Sequence, residues 1–161
     1  MASSGEARRR ERVVEVSSVE ITAFCHATEE CSRVESSIRN LLPEDTRPKL
    51  ELAVREERGY YGNPIVILSL VVRDPLLASS IVKYVASRLE DSEKRLLRIT
   101  SRLRFDPREK RFVIRFSKQS LYMSKLQLVD SDDVVKLTIH LKNVKSYRDL
   151  EEFLARSSLI S

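Results

Sequence analysis

Residues 65–75 read IVILSLVVRDP, and this stretch decides how the chain folds. Its first eight residues form an almost continuous apolar run, rich in β-branched side chains, which is typical of a central strand of a sheet. Asp74 is a favourable helix N-cap, and Pro75 suits the first helical position. The sequence therefore predicts a central strand that leads directly into a helix.

The residues before this stretch predict a hairpin and, earlier in the chain, a strand and a helix. Residues 50–57 alternate apolar and polar side chains, and 59–64 contain two glycines and an Asn-Pro pair, so 50–57 and 65–72 should pair as a hairpin. Residues 13–27 alternate in the same way, with a phase slip near Ser17 that predicts a bulge. Thr28 should cap a helix that ends at Pro43.

The residues after the stretch predict further helices and strands. A helix over 75–89 should break near 91–92 and resume to about 103, with Leu96, Ile99 and Leu103 on one face and Arg95, Arg98 and Arg102 on another. Strands are predicted at 111–116, 121–128 and 135–142, and a last helix should be capped by Ser146. Because hairpins alternate with helices, the sequence predicts the α+β class, a mainly antiparallel sheet with helices packed on one face.

The start of the chain differs from the rest in composition. Residues 1–12 carry four arginines and no apolar pattern, so we interpret them as a flexible basic arm before a single α+β domain over 13–161. We find no secretory signal and no run near the roughly 20 apolar residues of a membrane helix, and we expect a cytoplasmic protein with no membrane partner. In that compartment Cys25 and Cys31 should be reduced thiols.

Positive charge is concentrated in residues 94–118. This segment holds ten basic and two acidic residues, or +8, although the net charge of the whole chain is only +5. Concentrated charge attracts polyanions, and arginine forks suit phosphate groups. The pattern predicts a non-enzymatic protein that binds the phosphate backbone of RNA. The predicted RNA-binding residues are Arg95, Arg98, Arg102, Arg104, Lys110, Arg111, Arg115, Lys118 and Gln119.

A second interpretation of the same charge stays open from the sequence. The basic face could dock an acidic protein, and the chain would then be a dimeric interaction module or adaptor. Steep salt dependence is expected in both cases, so competition by RNA of tRNA size is the observation that separates them.

No residue pattern indicates catalysis, a cofactor or a metal. Cys25, His26 and Cys31 are soft ligands within seven residues, but the only other histidine is His140, and a tetrahedral zinc site needs a fourth ligand. His26 directly follows Cys25, so on a strand the two side chains point to opposite faces. We predict no catalytic residue, no cofactor and no metal, with both cysteines packed as small apolar residues.

The predicted hairpin turn at 59–64 has two interpretations. Tyr60 or Tyr61 could stack on an unpaired base, as aromatic side chains do in proteins that bind single-stranded nucleic acid. Alternatively, the tyrosines pack on the edge of the sheet, and the tight-turn composition favours this structural interpretation.

Three strings, in this order and at these separations, resemble a known family. They are FCHATEE at 24–30, GYYGNPI at 59–65 and RFSKQSLY at 115–122. The family is an archaeal group of small RNA-binding-domain proteins described as predicted exosome subunits, and the resemblance spans about residues 16–141. It implies a fold like that of the large-subunit ribosomal protein that carries 5S RNA, frequent dimers, and a role in RNA processing or translation.

The resemblance also marks individual residues without giving them a role. They are His26, Thr28, Tyr61, Gly62, Asn63, Lys118 and Gln119. They would form either an RNA site or loops locked by hydrogen bonds. The implied partners are RNA, an RNA-processing complex and a second copy of the chain.

Overall fold

A six-stranded sheet and five helices make up the described part of the chain. The computed structural model describes residues 13–59 and 61–161, so the predicted arm at 1–12 and Tyr60 lie outside the described residues. The strands are β1 (Glu15–Cys25), β2 (Ala53–Arg58), β3 (Pro64–Val72), β4 (Phe105–Asp106), β5 (Arg111–Phe116) and β6 (Val135–Lys142). The helices are α1 (Cys31–Arg39), α2 (Pro75–Arg88), α3 (Asp91–Arg104), α4 (Lys118–Tyr122) and α5 (Tyr147–Arg156), with a 3-10 turn at Arg47–Lys49.

The strand order is β2-β3-β1-β6-β5-β4, and every neighbouring pair is antiparallel. β1 lies between β3 and β6, and its predicted phase slip is a shift in register between Val16 and Ser18. At that bulge the Ser17 hydroxyl donates to the His140 carbonyl oxygen over 3.1 Å. β2 and β3 form the predicted hairpin. The α+β class with a mainly antiparallel sheet is therefore confirmed.

The helices pack on one face of the sheet. Core-facing strand residues such as Ile21, Leu70 and Ile114 are almost completely buried, in one cluster with Ile81 of α2 and Leu150 of α5. The side chains that alternate with the core positions are half-buried or exposed, apart from Thr138 at the centre. We call this second surface the open face. It comprises Glu15, Ser18, Glu20, Thr22 and Phe24 of β1, Ile67, Ser69 and Val71 of β3, Arg111, Val113 and Arg115 of β5, and Lys136, Thr138, His140 and Lys142 of β6.

Two predicted helix caps are confirmed and one is wrong. The Asp74 carboxylate accepts a hydrogen bond from the Leu76 backbone (3.1 Å), and the Ser146 hydroxyl accepts one from the Asp149 backbone (3.3 Å). The predicted cap at Thr28 is wrong because the residues from His26 onward form a turn, and α1 starts only at Cys31.

The helices found in residues 13–59 and 61–161 include none with the length and apolar content that a membrane-spanning helix needs.

Helix α3 does not turn its most apolar side to the core. Leu97 and Ser101 are buried. The three apolar residues that share one face of the helix are exposed: Leu96 (39%), Ile99 (77%) and Leu103 (88%). The Glu93 carboxylate, one turn before Leu97, accepts a hydrogen bond from the Leu128 backbone (3.0 Å) and fixes this side against the loop before β6. Apolar content alone therefore does not identify the buried face of this helix.

The strand predicted at 121–128 is also wrong. The Ser117 hydroxyl accepts a hydrogen bond from the Ser120 backbone (3.2 Å) and caps the short helix α4 in its place. A loop follows, and only an isolated bridge joins Leu128 to Phe116 of β5. Leu121, Leu126 and Leu128 are buried, so their spacing reflects packing of a helix and a loop rather than a strand.

Candidate nucleic-acid interface

The predicted RNA-binding residues separate into three groups in the fold. Arg95, Arg98 and Arg102 lie on α3. Arg104 ends α3 beside the sheet, Lys110 lies in the turn before β5, and Arg111 and Arg115 lie on β5. Lys118 and Gln119 begin α4. The fold therefore divides a basic segment that is continuous in the sequence.

The arginines of the first group lie on the helix layer of the molecule. The Arg98 guanidinium donates to the carbonyl oxygen of Ser161 over 3.3 Å. The guanidinium carbon of Arg102 lies 4.8 Å from the centre of the Tyr147 ring, at the start of α5. Both contacts direct these side chains toward α5 and the last residue, away from the open face.

The β5–β6 half of the open face is positively charged. Its cationic positions are Arg111, Arg115, Lys136 and Lys142, and these two strands place no carboxylate there. Arg111 lies 3.7 Å from the Asp106 carboxylate, and Lys142 lies 3.1 Å from the Glu15 carboxylate. Among the described residues, neither Arg115 nor Lys136 has a carboxylate within ion-pair distance. Lys136 and Lys142 are not among the predicted RNA-binding residues, although the alternation in 135–142 predicts a strand with both lysines on its polar side.

Arg115 and Lys136 lie directly opposite each other on adjacent strands. Like charges in such a cross-strand position repel and destabilise the sheet. Arg104 adds a third positive charge nearby: burial first, and then repulsion from Arg115, lowers the pKa of its guanidinium, while Asp130 acts in the opposite direction. Arg104, Arg115 and Lys136 thus form a group of cations, although Asp130 acts on Arg104 and Asp132 lines the same pocket as Arg115 and Lys136.

An exposed aromatic ring lies beside these cations. Phe24 alternates with buried Ala23 and Cys25 on β1, and its side chain is 44% exposed on the open face. A shallow pocket of about 220 Å³ is lined by Phe24, Arg115 and Lys136 together with Thr22 and Asp132. Aromatic rings beside cations are the combination that binds unpaired bases and their phosphates.

Lys118 lies in an ion cluster instead of on a free surface. Its side chain is only 12% exposed, and its ammonium donates to the Phe24 carbonyl oxygen (2.6 Å), to Glu29 (3.1 Å) and to the Asp133 carboxylate. An ammonium has three protons, and these three acceptors use them. Lys118 thus joins the end of β1, the following turn and the loop before β6.

His26 completes the same cluster. Its Nε2 atom lies 3.3 Å from the Asp133 carboxylate. Burial alone would raise the pKa of Asp133, but the hydrogen bond and charge of Lys118, and then His26, outweigh it and lower that pKa. Ligand atoms of His26, Glu29 and Asp133 lie within 4.8 Å of one another, as in a metal site. The ammonium of Lys118 already compensates both carboxylates, so we interpret the group as an ion-pair network.

Gln119, next to Lys118, has a different environment. It is exposed and lines a cleft of about 560 Å³ between α1 and α4. Arg33 of α1 lines the same cleft, and its guanidinium carbon lies 5.4 Å from the centre of the Tyr122 ring.

Two of the family strings meet at one end of the sheet. His26 and Thr28 from the turn after β1, and Tyr61 and Asn63 from the β2–β3 turn, line a pocket of about 280 Å³. Backbone bonds close the β2–β3 turn, with the Gly59 amide donating to the Asn63 carbonyl oxygen over 2.6 Å. Gly62 has a φ of +78°, a left-handed conformation that glycine adopts without strain.

The predicted reduced thiols are wrong for this structure. Cys25, at the end of β1, and Cys31, at the start of α1, form a disulfide with Cα atoms 5.6 Å apart. The bond closes the turn that carries His26 and Glu29. Cys25 is almost completely buried, as the interpretation of a small apolar residue required, but its sulfur is bonded to Cys31.

Breaking this disulfide should destabilise the chain. A closed loop of this length restricts the unfolded state by about 2 kcal/mol, so Cys31→Ser should lower the free energy of unfolding by up to about that amount. Urea unfolding with and without a reducing agent measures the change. The reductant should lower the stability of the wild type and leave that of Cys31→Ser unchanged; equal stability of both proteins without reductant would contradict the expectation.

Comparison of the sequence with known proteins finds one matching family and two archaeal relatives. A family model described as RNA binding matches residues 18–141. An uncharacterized protein of Methanocaldococcus jannaschii is 30% identical over 128 residues, which cover 79% of this chain and 85% of that protein. A protein of Pyrococcus abyssi, named as an RNA-binding protein, is 28% identical over 125 residues, covering 77% of this chain and 80% of that protein.

Solved structures show the same fold. A crystal structure of a protein from Archaeoglobus fulgidus superposes with a TM-score of 0.73 at 22% identity, covering 89% of this chain and 99% of that one. A crystal structure of a protein from Sulfolobus solfataricus superposes with a TM-score of 0.70 at 26% identity, covering 87% of this chain and 96% of that one. The sheet order and helix placement are therefore shared with these archaeal proteins.

Proposed function

The chain belongs to the RNA binding family, and we propose that it binds RNA through the β5–β6 half of the open face. The name of the Pyrococcus abyssi relative supports the ligand class. The observation that carries the proposed location is the cross-strand pair of Arg115 and Lys136. This pair costs the sheet stability when nothing is bound, and phosphate binding compensates for that cost.

The open face suits a single-stranded segment of RNA. Phosphate groups would lie along Arg111, Arg115 and Lys136, and an unpaired base would stack on the exposed ring of Phe24. Stacking of this kind tolerates any base, and phosphate contacts carry no sequence information, so the proposed interface binds with little sequence preference. Arg104 and Lys110 lie at the border of this surface and extend its positive field.

The remaining predicted residues have other roles in this proposal. Lys118 holds the ion cluster with Glu29 and Asp133. Arg95, Arg98 and Arg102 lie on the solvent side of α3, outside the interface. Of the family-motif residues, His26 and Lys118 hold loops by hydrogen bonds and ion pairs, which supports the structural interpretation of that motif.

We extend the proposal to a binding protein without catalytic activity that acts in RNA processing or translation. The resemblance to proteins described as predicted exosome subunits suggests this setting, and a homodimer or an RNA-processing complex would be the form in which it acts. The family match supports RNA binding itself, and the setting follows only from the resemblance.

A salt titration of RNA binding tests the proposal. The probe is a fluorescein-labelled single-stranded RNA of mixed sequence, about 12 nucleotides long, and its anisotropy is measured between about 50 and 300 mM salt. Three cations, Arg111, Arg115 and Lys136, should give a slope of log K against log salt of roughly −2 on a single strand. Binding should be tighter than to a duplex of the same length, since only the single strand has bases free for Phe24. No binding at low salt would overturn the proposal.

A further inference from the structure

Helix α3 exposes an apolar stripe to solvent. Leu96, Ile99 and Leu103 are spaced by three and four residues, which places them along one side of the helix. Ile99 and Leu103, at 77% and 88%, are among the most exposed large apolar side chains of the described residues, and Leu96 is 39% exposed. Single exposed leucines such as Leu76 are ordinary on protein surfaces, but three in one row on a surface helix indicate a contact that the isolated chain does not make.

A row of arginines flanks the stripe on one side. At about 3.6 residues per turn, Arg95, Arg98 and Arg102 form this row, whereas the other side holds Glu93, Thr100 and the half-buried Arg104. Two members of the row are held in place, because Arg98 donates to the Ser161 carbonyl oxygen and Arg102 stacks on the ring of Tyr147. Charged groups that are already oriented lose little conformational freedom on binding.

This chemistry fits a protein partner better than RNA. Leucine and isoleucine side chains offer no stacking plane and no donor to a nucleic acid, whereas an apolar stripe with charged borders is the surface that an amphipathic helix covers. Because the border formed by Arg95, Arg98 and Arg102 is basic, the complementary helix carries acidic residues along that side of its own apolar face.

Two other partners could be considered for the apolar stripe of α3, a second copy of the helix and the segment 1–12, and the arginines beside the stripe fit neither of them. If two copies of α3 packed against each other antiparallel, centred on Ile99, Arg95 of one copy would approach Arg102 of the other, and the like charges would repel. The segment 1–12 of the same chain has four arginines and no apolar pattern, so it matches neither the stripe nor its borders.

We infer that α3 is the docking site for an acidic amphipathic helix of another protein. The surface is distinct from the proposed RNA interface on the open face, so the chain would hold RNA and this partner at the same time. This inference does not depend on the proposed RNA site, and either can fail without the other.

Selection from a peptide library tests the inference. The library displays peptides about four helical turns long, built from apolar, acidic and basic residues, and it is selected on the full chain. Counter-selection uses Ile99→Ser/Leu103→Ser, which changes only exposed side chains and should keep the fold. The sequences enriched on the wild type should be acidic, with apolar residues spaced by three and four. Enrichment of basic or unpatterned peptides, or no enrichment, would overturn the inference.

Affinities of the enriched peptides give the second measurement. Ile99→Ser/Leu103→Ser should weaken binding at least tenfold, and Arg95→Ala/Arg98→Ala should weaken it and reduce its salt dependence. The matched control Val54→Ser/Leu76→Ser replaces two similarly exposed apolar residues elsewhere and should leave the peptide affinity unchanged.

Two other results would assign the stripe to a different partner. A lower RNA affinity of Ile99→Ser/Leu103→Ser would assign it to RNA, and a wild-type dimer lost in that variant would assign it to a second copy. Either result overturns the inference.

Discussion

Replacing Arg115 and Lys136 together by alanine should weaken binding to single-stranded RNA by about 25-fold near 0.1 M salt. Each phosphate contact with a single strand contributes roughly 0.7 to the salt slope, which near 0.1 M salt corresponds to about 1 kcal/mol. Two lost contacts therefore lower the slope by about 1.4 and the affinity by about 2 kcal/mol. The salt titration by fluorescence anisotropy measures both quantities on the same protein.

The matched control removes the same charge from another surface. Arg95→Ala/Arg98→Ala leaves the net charge of the chain equal to that of the sheet variant, but the two arginines lie on α3. Its salt slope should stay at the wild-type value, with only a small loss of affinity from the weaker long-range field. Equal losses in the two variants would show that binding follows net charge, and the open face would no longer be the proposed interface.

The same sheet variant should also be slightly more stable than the wild type. Arg115 and Lys136 face each other across β5 and β6, and removing this repulsion should raise the free energy of unfolding by a few tenths of a kcal/mol. A pair that weakens the fold and strengthens binding is typical of a functional surface. If the variant lost stability instead, the two side chains would be structural, and there would be no cross-strand repulsion for a phosphate to relieve.

The sheet could be predicted from the sequence because its strands have clear periods. The alternation in 135–142 predicted a strand with its two faces, the apolar run in 65–72 predicted a central strand, and the bulge near Ser17 followed from a break in the period. The side of helix α3 that faces the core could not be predicted in the same way. Its three most regularly spaced apolar residues are on the solvent side, and its rotation depends on a bond from Glu93 to the distant Leu128 backbone.

The candidate site was harder to predict because it is assembled across strands. The window 94–118 contained Arg115 but not Lys136, which lies directly opposite it and 21 residues later in the chain. The signal was present in the sequence, as a lysine at the outward position of a predicted strand. Only the register of β5 against β6 shows that the two cations meet. The charge of the segment 94–118 therefore pointed to a polyanion such as RNA, but it did not show which surface of the fold would bind it.

Replacing Lys118 by methionine should lower the free energy of unfolding by about 2 kcal/mol. Methionine keeps the length of the side chain and removes its charge, so the half-buried Glu29 carboxylate and the Phe24 carbonyl oxygen lose their donor. Breaking a fully buried ion pair costs about 3–5 kcal/mol, and the partial exposure of this cluster reduces that figure. Urea unfolding at neutral pH measures the loss. The control is Lys125→Met, an exposed lysine without an ion pair in the described residues, which should change stability little.

The pH dependence of this loss identifies its cause. Because Lys118 lowers the pKa of Asp133 below its ordinary value of about 3.8, that carboxylate stabilises the fold above this pH, and its contribution disappears as the pH falls through the lowered pKa. The stability difference between the wild type and Lys118→Met should therefore be largest at neutral pH and shrink below about pH 4. If Lys118→Met instead kept wild-type stability at every pH and lost RNA affinity, Lys118 would contact phosphate directly, and the cluster would belong to the RNA interface.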